Sequence, residues 1–186
     1  MGLDMYLEAR KYVSGLDHNT EEHNALYRAL VESVQGHLCH ASMPSVKSVE
    51  VLFNVMYWRN SIQIHNWFID NCAYGTDECQ DIEVSIDDLK KLRDFCGEVA
   101  SMFPEGYGDD EKYIPELSEN LINAIGEKLP PSNAYFFGST EFELWYYRTV
   151  VRMHEELSRL IEWDEAEAKA HEKEYSGWYY VYRASW

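Results

Sequence analysis

Residues 2–13 read GLDMYLEARKYV, and their alternation decides the fold. Leu3, Met5, Leu7 and Ala9 fall on one side of an extended chain, and Asp4, Tyr6, Glu8 and Arg10 fall on the other. That period of two marks a half-buried strand, because successive side chains of a strand point to opposite faces. At the far end, GWYYVYRASW (177–186) is dense in Tyr, Trp and Val, residues that suit a pleated and partly covered surface. Strands at both ends with helical periodicity mostly between them predict an α+β fold. The expected architecture is a small, mainly antiparallel sheet packed by several helices, one of them a long C-terminal helix. The two end strands are candidates to pair with each other.

Working inward, Thr20 or Asn19 can cap a helix running to about Gln35, with Leu26, Ala29, Leu30 and Val34 as its apolar stripe. VKSVEVLFNVM (46–56) places Val49, Val51, Phe53 and Val55 on one side of a second strand. CQDIEVS (79–85) offers a short third strand. Ser85 followed by Asp88 has the spacing of a capping box that opens a helix from Ile86 to about Met102. A short helix is expected near 115–127 and a short extended piece at AYFF (134–137). Thr140 with Glu143 forms a second candidate box, ahead of a long helix over 141–174. Its stripe is Phe142, Trp145, Tyr146, Thr149, Met153, Leu157, Leu160 and Ile161. A single domain spanning 1–186 fits the length, since domains commonly hold about 100–200 residues.

The segment YWRNSIQIHNWF (57–68) gathers a Tyr, two Trp, a Phe, an Arg and a His in twelve positions. Trp58, Ile62, His65, Ile69 and Cys72 recur at three- and four-residue spacing, which predicts a helix from about Trp58 to Cys72. On that helix Trp58, Ile62 and His65 face inward, while Arg59, Asn66 and Trp67 lie along an outlying edge. An aromatic ring able to stack a base, beside Arg and His able to grip phosphate oxygens, makes Tyr57, Arg59, His65 and Trp67 a candidate ligand site. The competing reading is that Trp58 and His65 are core residues with satisfied hydrogen bonds. A second candidate is the glycine turn Gly138, Ser139, Thr140 and Glu141, where a helix N-terminus and two hydroxyls would favour an anion. An ordinary helix cap explains the same residues.

The chain carries 33 acidic residues against 16 Lys and Arg, for a formal net charge of -17. Such a surface repels phosphate backbones and anionic membranes, so direct nucleic-acid binding is not expected. With 46% hydrophobic and 15% aromatic residues, it has the material for a core that a disordered acidic polymer lacks. The N-terminus has no basic region followed by a long apolar run, and no stretch has the length of a membrane span, so a cytoplasmic protein is expected. Tyr6 stands where a myristoylation motif wants Ser or Thr. Cys39, Cys72, Cys79 and Cys96 form no C-x-x-C pair and read as reduced thiols.

From the quoted motifs the chain resembles a family of small proteins of phages, prophages and gut bacteria. The resemblance rests on MGLDMYL (1–7), YWR (57–59), IHNWF (64–68), EC then VS (78–85) and YFFGSTEFELWYY (135–147), in the family's order and across most of the chain. Asn60 and Ile62 stand where the family pattern has Lys and Asn, and Glu143 beside Leu144 replaces an acidic pair. The resemblance implies a phage or mobile-element setting and a shared site, and carries no mechanism.

Chemistry is sparsely signposted. No G-x-S-x-G, phosphate-binding loop or dinucleotide fingerprint occurs, and no cofactor is expected. His18 and His23 have H-x₄-H spacing and HLCH (37–40) adds donors, but structural zinc sites need pairs from two elements, so no metal site is predicted. Cys72 lies two helical turns from His65, roughly 10 Å at about 1.5 Å per residue, too far for direct proton transfer. Three readings follow. The first is a non-catalytic phage or prophage accessory protein that binds a small anionic, nucleotide-like host ligand or a host protein and counters host defence. The second is a nucleotide-acting hydrolase or transferase using His65 with Glu141 or Asp4. The third is an acidic mimic of nucleic acid that inhibits a basic partner.

Overall fold

In the computed structural model, residues 2–15, 20–36, 46–108, 116–131 and 144–185 are described. Strand β1 (Asp4–Ser14) follows the alternation of the sequence, burying Met5, Leu7, Ala9 and Val13. Helix α1 (Glu21–Gln35) is capped as expected, with the Thr20 side chain accepting from the backbone N–H of His23. Strand β2 (Ser48–Arg59) leads to helix α2 (Ile62–Cys72), and the short β3 (Ile82–Val84) to helix α3 (Ile86–Met102). The Ser85 hydroxyl accepts from the Asp88 N–H at 3.1 Å, so the predicted box does open α3. Helix α4 spans Glu119–Lys128, α5 spans Leu144–Ala170, and strand β4 (Tyr179–Ser185) closes the chain. AYFF and the Thr140–Glu143 box lie outside the described residues.

The strands form one sheet in the order β2-β1-β4-β3, and every pairing is antiparallel. The fold is therefore α+β, with a long C-terminal helix. The two end strands do pair, from Asp4 opposite Ser185 to Arg10 opposite Tyr179. This joins the ends of the sequence at the centre of the sheet, with β2 and β3 as its outer strands.

The α2 and α5 helices cover the same face. Phe68 of α2 stacks on Tyr182 of β4 with ring centroids 4.1 Å apart. On α5, the Asp164 carboxylate accepts hydrogen bonds from the hydroxyls of Tyr180 at 2.7 Å and Ser176 at 2.5 Å. Helix α3 adds Leu89, Leu92, Cys96 and Val99 to the same core. Burial pushes the Cys96 thiol up to about 12, so it is an inert core group at neutral pH. The opposite face carries Asp4, Tyr6, Glu8 and Arg10, and there Arg10 and Arg183 bridge Glu8 and Asp81 in a closed ring of four ion pairs.

Two expectations need correction. First, Trp58 and Arg59 belong to β2, not to a helix: Tyr57, Trp58 and Arg59 stand opposite Tyr6, Met5 and Asp4. The extended form continues because those residues find ladder partners on β1. It ends at Asn60, whose φ of 53° is left-handed and whose side-chain oxygen accepts from the Leu3 N–H at 3.1 Å. The Asn60 N–H returns a bond to the Leu3 carbonyl at 2.8 Å. Asn tolerates this conformation better than most residues, so the break falls there. Second, β2 does not keep one parity. The register shifts between Leu7 and Glu8, which face Met56 and Asn54, and Val55 is the extra residue of a bulge. The bulge rephases the strand so that Met56 and Trp58 turn to the core.

Candidate functional site

The aromatic segment divides at Asn60. Alternation along β2 sends Tyr57 and Arg59 to the face of Asp4 and Tyr6, and Trp58 to the core. The Tyr57 hydroxyl donates to Asp4 at 2.6 Å, the Arg59 Nε contacts the same carboxylate at 2.7 Å, and the Tyr57 ring lies 5.1 Å from that of Tyr6. The hydrogen bond to Asp4 raises the Tyr57 phenol above its ordinary range.

The other half of the segment is interior. His65 is 2% exposed, its Nδ1 2.7 Å from the Tyr182 hydroxyl and its Nε2 3.1 Å from Asp77. Burial, with the Asp77 charge behind it, drives the Tyr182 phenol far up, so it stays protonated as a hydrogen-bond donor or acceptor. Trp67 is 8% exposed and meets Phe68 edge to face at 5.5 Å. It fills the core and does not lie on an outlying edge, because α2 begins at Ile62 and so turns Ile64, Trp67 and Phe68 inward. Tyr57 and Arg59 are thus separated from His65 and Trp67, and the four do not form one stacking and phosphate-gripping pocket. Cys72, half-buried, has its thiol pushed up to about 11 by burial, which leaves it a poor nucleophile.

Gly138, Ser139, Thr140 and Glu141 lie outside the described residues, as do His18, His37, Cys39 and His40. His23 is engaged by the Ser14 backbone, its Nε2 lying 3.0 Å from the carbonyl oxygen.

What the chain does build is a groove between the outer strand β2 and helix α5. One part, about 320 Å³, is lined by the Tyr57–Arg59 stretch and Ser61, and by Trp145, Thr149, Arg152, Met153 and Glu156 of α5. A second part, about 560 Å³, is lined by Phe53, Val55, Glu156, Arg159, Leu160 and Trp163. Glu156 lines both, so they run on from each other. From Trp145 to Trp163 the α5 residues recur at helical spacing on one face, and β2 runs antiparallel to them, with Arg59 near Trp145 and Phe53 near Trp163. The bulge residue Val55 supplies part of the apolar floor.

The groove has chemistry that the surrounding acidic surface lacks. Arg152 donates to the Tyr57 backbone carbonyl at 3.3 Å and pairs with Glu156 at 2.8 Å. Arg159, two turns on, is exposed and forms no ion pair with the described residues. Trp145 is 45% exposed and Phe53 51% exposed. Trp58, only 6% exposed, also lines the groove, and its indole N–H finds no acceptor among the described residues. Buried indole N–H groups are normally satisfied. Neither the bulge nor the groove was visible to sequence reasoning; the nearest signals were the exposed-looking Arg152 and Arg159 beside the apolar stripe of α5.

Among the described residues no helix is long and apolar enough to cross a membrane. Comparison with protein-family models, with curated proteins and with solved structures returned no match.

Proposed function

We propose that this chain is a non-catalytic binding protein that captures a segment of another protein in the groove between β2 and α5. The observation that supports this most is the groove itself: two continuous parts of about 320 and 560 Å³, each with aromatic residues and at least one arginine in its lining, on a chain of net charge -17. An acidic protein that concentrates Arg152 and Arg159 beside exposed Trp145 and Phe53 is equipped for an apolar segment that carries negative charge. In the phage or prophage setting that its motifs resemble, the captured segment belongs to a host protein, and capture serves to counter host defence.

The nucleotide form of this reading receives less support, since the side chains of Tyr57 and Arg59 are held by Asp4 while His65 and Trp67 are interior. A hydrolase using His65 also loses ground, because both ring nitrogens already have partners. Panning a random-peptide display library against the full chain tests the proposal, with the Phe53→Ser/Arg152→Glu double variant as the parallel target. A consensus enriched on the wild type and absent on the variant is expected. Failure to enrich, or equal enrichment on both, overturns it, and a calorimetric nucleotide signal lost in Arg152→Ala would replace it with the small-ligand reading.

A further inference from the structure

The two outer strands of the sheet differ in a way that bears on how a segment is held. β3 has three residues, whereas β2 has twelve. The outer side of β2 pairs with no strand among the described residues, since β1 lies on its other side and the sheet order ends there. An unpaired strand edge presents a row of N–H and C=O groups that template another strand, and proteins usually blunt such edges with charge, proline, shortness or a bulge. From Leu52 to Trp58 there is no proline and no charged residue, the bulge at Val55 is the one such device in the stretch, and Leu52, Phe53 and Tyr57 are exposed. One carbonyl of this stretch, that of Tyr57, already accepts a bond from outside the sheet, from Arg152.

From these observations we infer that the groove takes its partner by strand addition: an extended segment pairs through its backbone with β2 as a fifth strand. This rests on the reading that the groove captures a protein segment, and it names the segment's chemistry. The occupant has apolar side chains at every second position, with an acidic one among those that share their face. At about 3.3 Å per residue the stretch from Phe53 to Arg59 holds a strand of roughly six or seven residues. On an added strand every second side chain turns toward α5. There the apolar ones meet Phe53, Val55, Leu160 and Trp163, and an acidic one reaches Arg152 or Arg159. Backbone pairing gives affinity with little regard to sequence, and the depression and the arginines select among sequences. Charge favours an acidic over a basic segment here, because Arg152 and Arg159 line the groove on a chain of net charge -17.

Synthetic nonapeptides test this on the whole chain: Thr-Val-Thr-Val-Thr-Val-Thr-Glu-Thr, in which Val and Glu share one face (the Glu/Val peptide), the same with Lys for Glu, and the Glu/Val peptide with its central residue replaced by Pro. Amide hydrogen exchange is read along β2, and affinity by fluorescence anisotropy. The Glu/Val peptide is expected to slow exchange of the amides between Leu52 and Trp58 at least tenfold. The Lys and Pro peptides are expected to bind at least tenfold more weakly, and Arg159→Glu to weaken the Glu/Val peptide by a similar factor. Phe53 and Arg159 are exposed, so Phe53→Ser and Arg159→Glu should leave the fold intact for comparison. If all three peptides bind alike, or bind without protecting β2, strand addition is overturned. A library consensus that binds as a helix would sink it while leaving segment capture standing. Self-association of the chain alone with protection of β2 would make the occupant a second copy and overturn it as well.

Discussion

The two halves of YWRNSIQIHNWF have similar composition and opposite fates. Before Asn60 the chain is strand, and its side chains alternate between core and surface; after Ser61 it is helix, and Ile62, Ile64, His65, Trp67, Phe68 and Ile69 are all buried. Both halves are aromatic, so hydrophobicity does not separate them. The β1 strand does, by offering ladder partners to Tyr57, Trp58 and Arg59 and none beyond. The aromatics of the strand half border a groove, and those of the helix half hold the sheet to its helical layer.

Breaking the helix half should produce the larger effect on stability. Phe68 is fully buried between Tyr182, Trp58 and Trp67, so Phe68→Ala removes packing that costs about 3–5 kcal/mol for a large aromatic. Chemical denaturation should show the unfolding free energy falling by that amount, through a lower midpoint with the slope retained. Asn60, the joint between the halves, comes next. Asn60→Ala puts a residue that tolerates the left-handed region less well than Asn at a φ of 53° and removes the acceptor of the Leu3 N–H, for a loss of about 1–3 kcal/mol. Asn60→Gly keeps the conformation and loses only the hydrogen bond, so it should recover part of that loss in the same denaturation series. On the strand half, Arg59→Ala gives up an ion pair on a side chain that is 55% exposed, and the expected change is within about 0.5 kcal/mol. A loss at Arg59 as large as at Phe68 would erase the distinction between the two halves.

Much of the fold could be read because local chemistry and tertiary structure agree. The period of two at 4–13, the Tyr- and Val-rich end strand, Thr20 as a cap and Ser85 with Asp88 each act within a few residues. The helix predicted from Trp58 failed because spacing at 58, 62, 65, 69 and 72 satisfies a helical face whether or not the first member is in the helix. What excludes Trp58 is a bond pattern with Leu3 and Met5, more than fifty residues away in sequence. The same holds for the candidate site. His65 is satisfied by Tyr182, a partner 117 residues on, so its role in the core could not be read locally. The groove arises only when α5 is laid along β2, and its arginines look like ordinary helix-surface charges in the sequence. The glycine turn at 138–141 stays an expectation of the sequence.

The central claim is that the aromatics bordering β2 meet a partner while those of α2 do not. It is tested most directly by the indole ¹⁵N–¹H signals of the full chain, which has six Trp, during titration with the peptide selected by display. The account predicts that Trp58, Trp145 and Trp163 shift in proportion to occupancy, with Trp58 moving toward a hydrogen-bonded position, and that Trp67 stays in place. A titration in which Trp67 moves with them, or in which bound peptide leaves the three groove indoles unchanged, would contradict it.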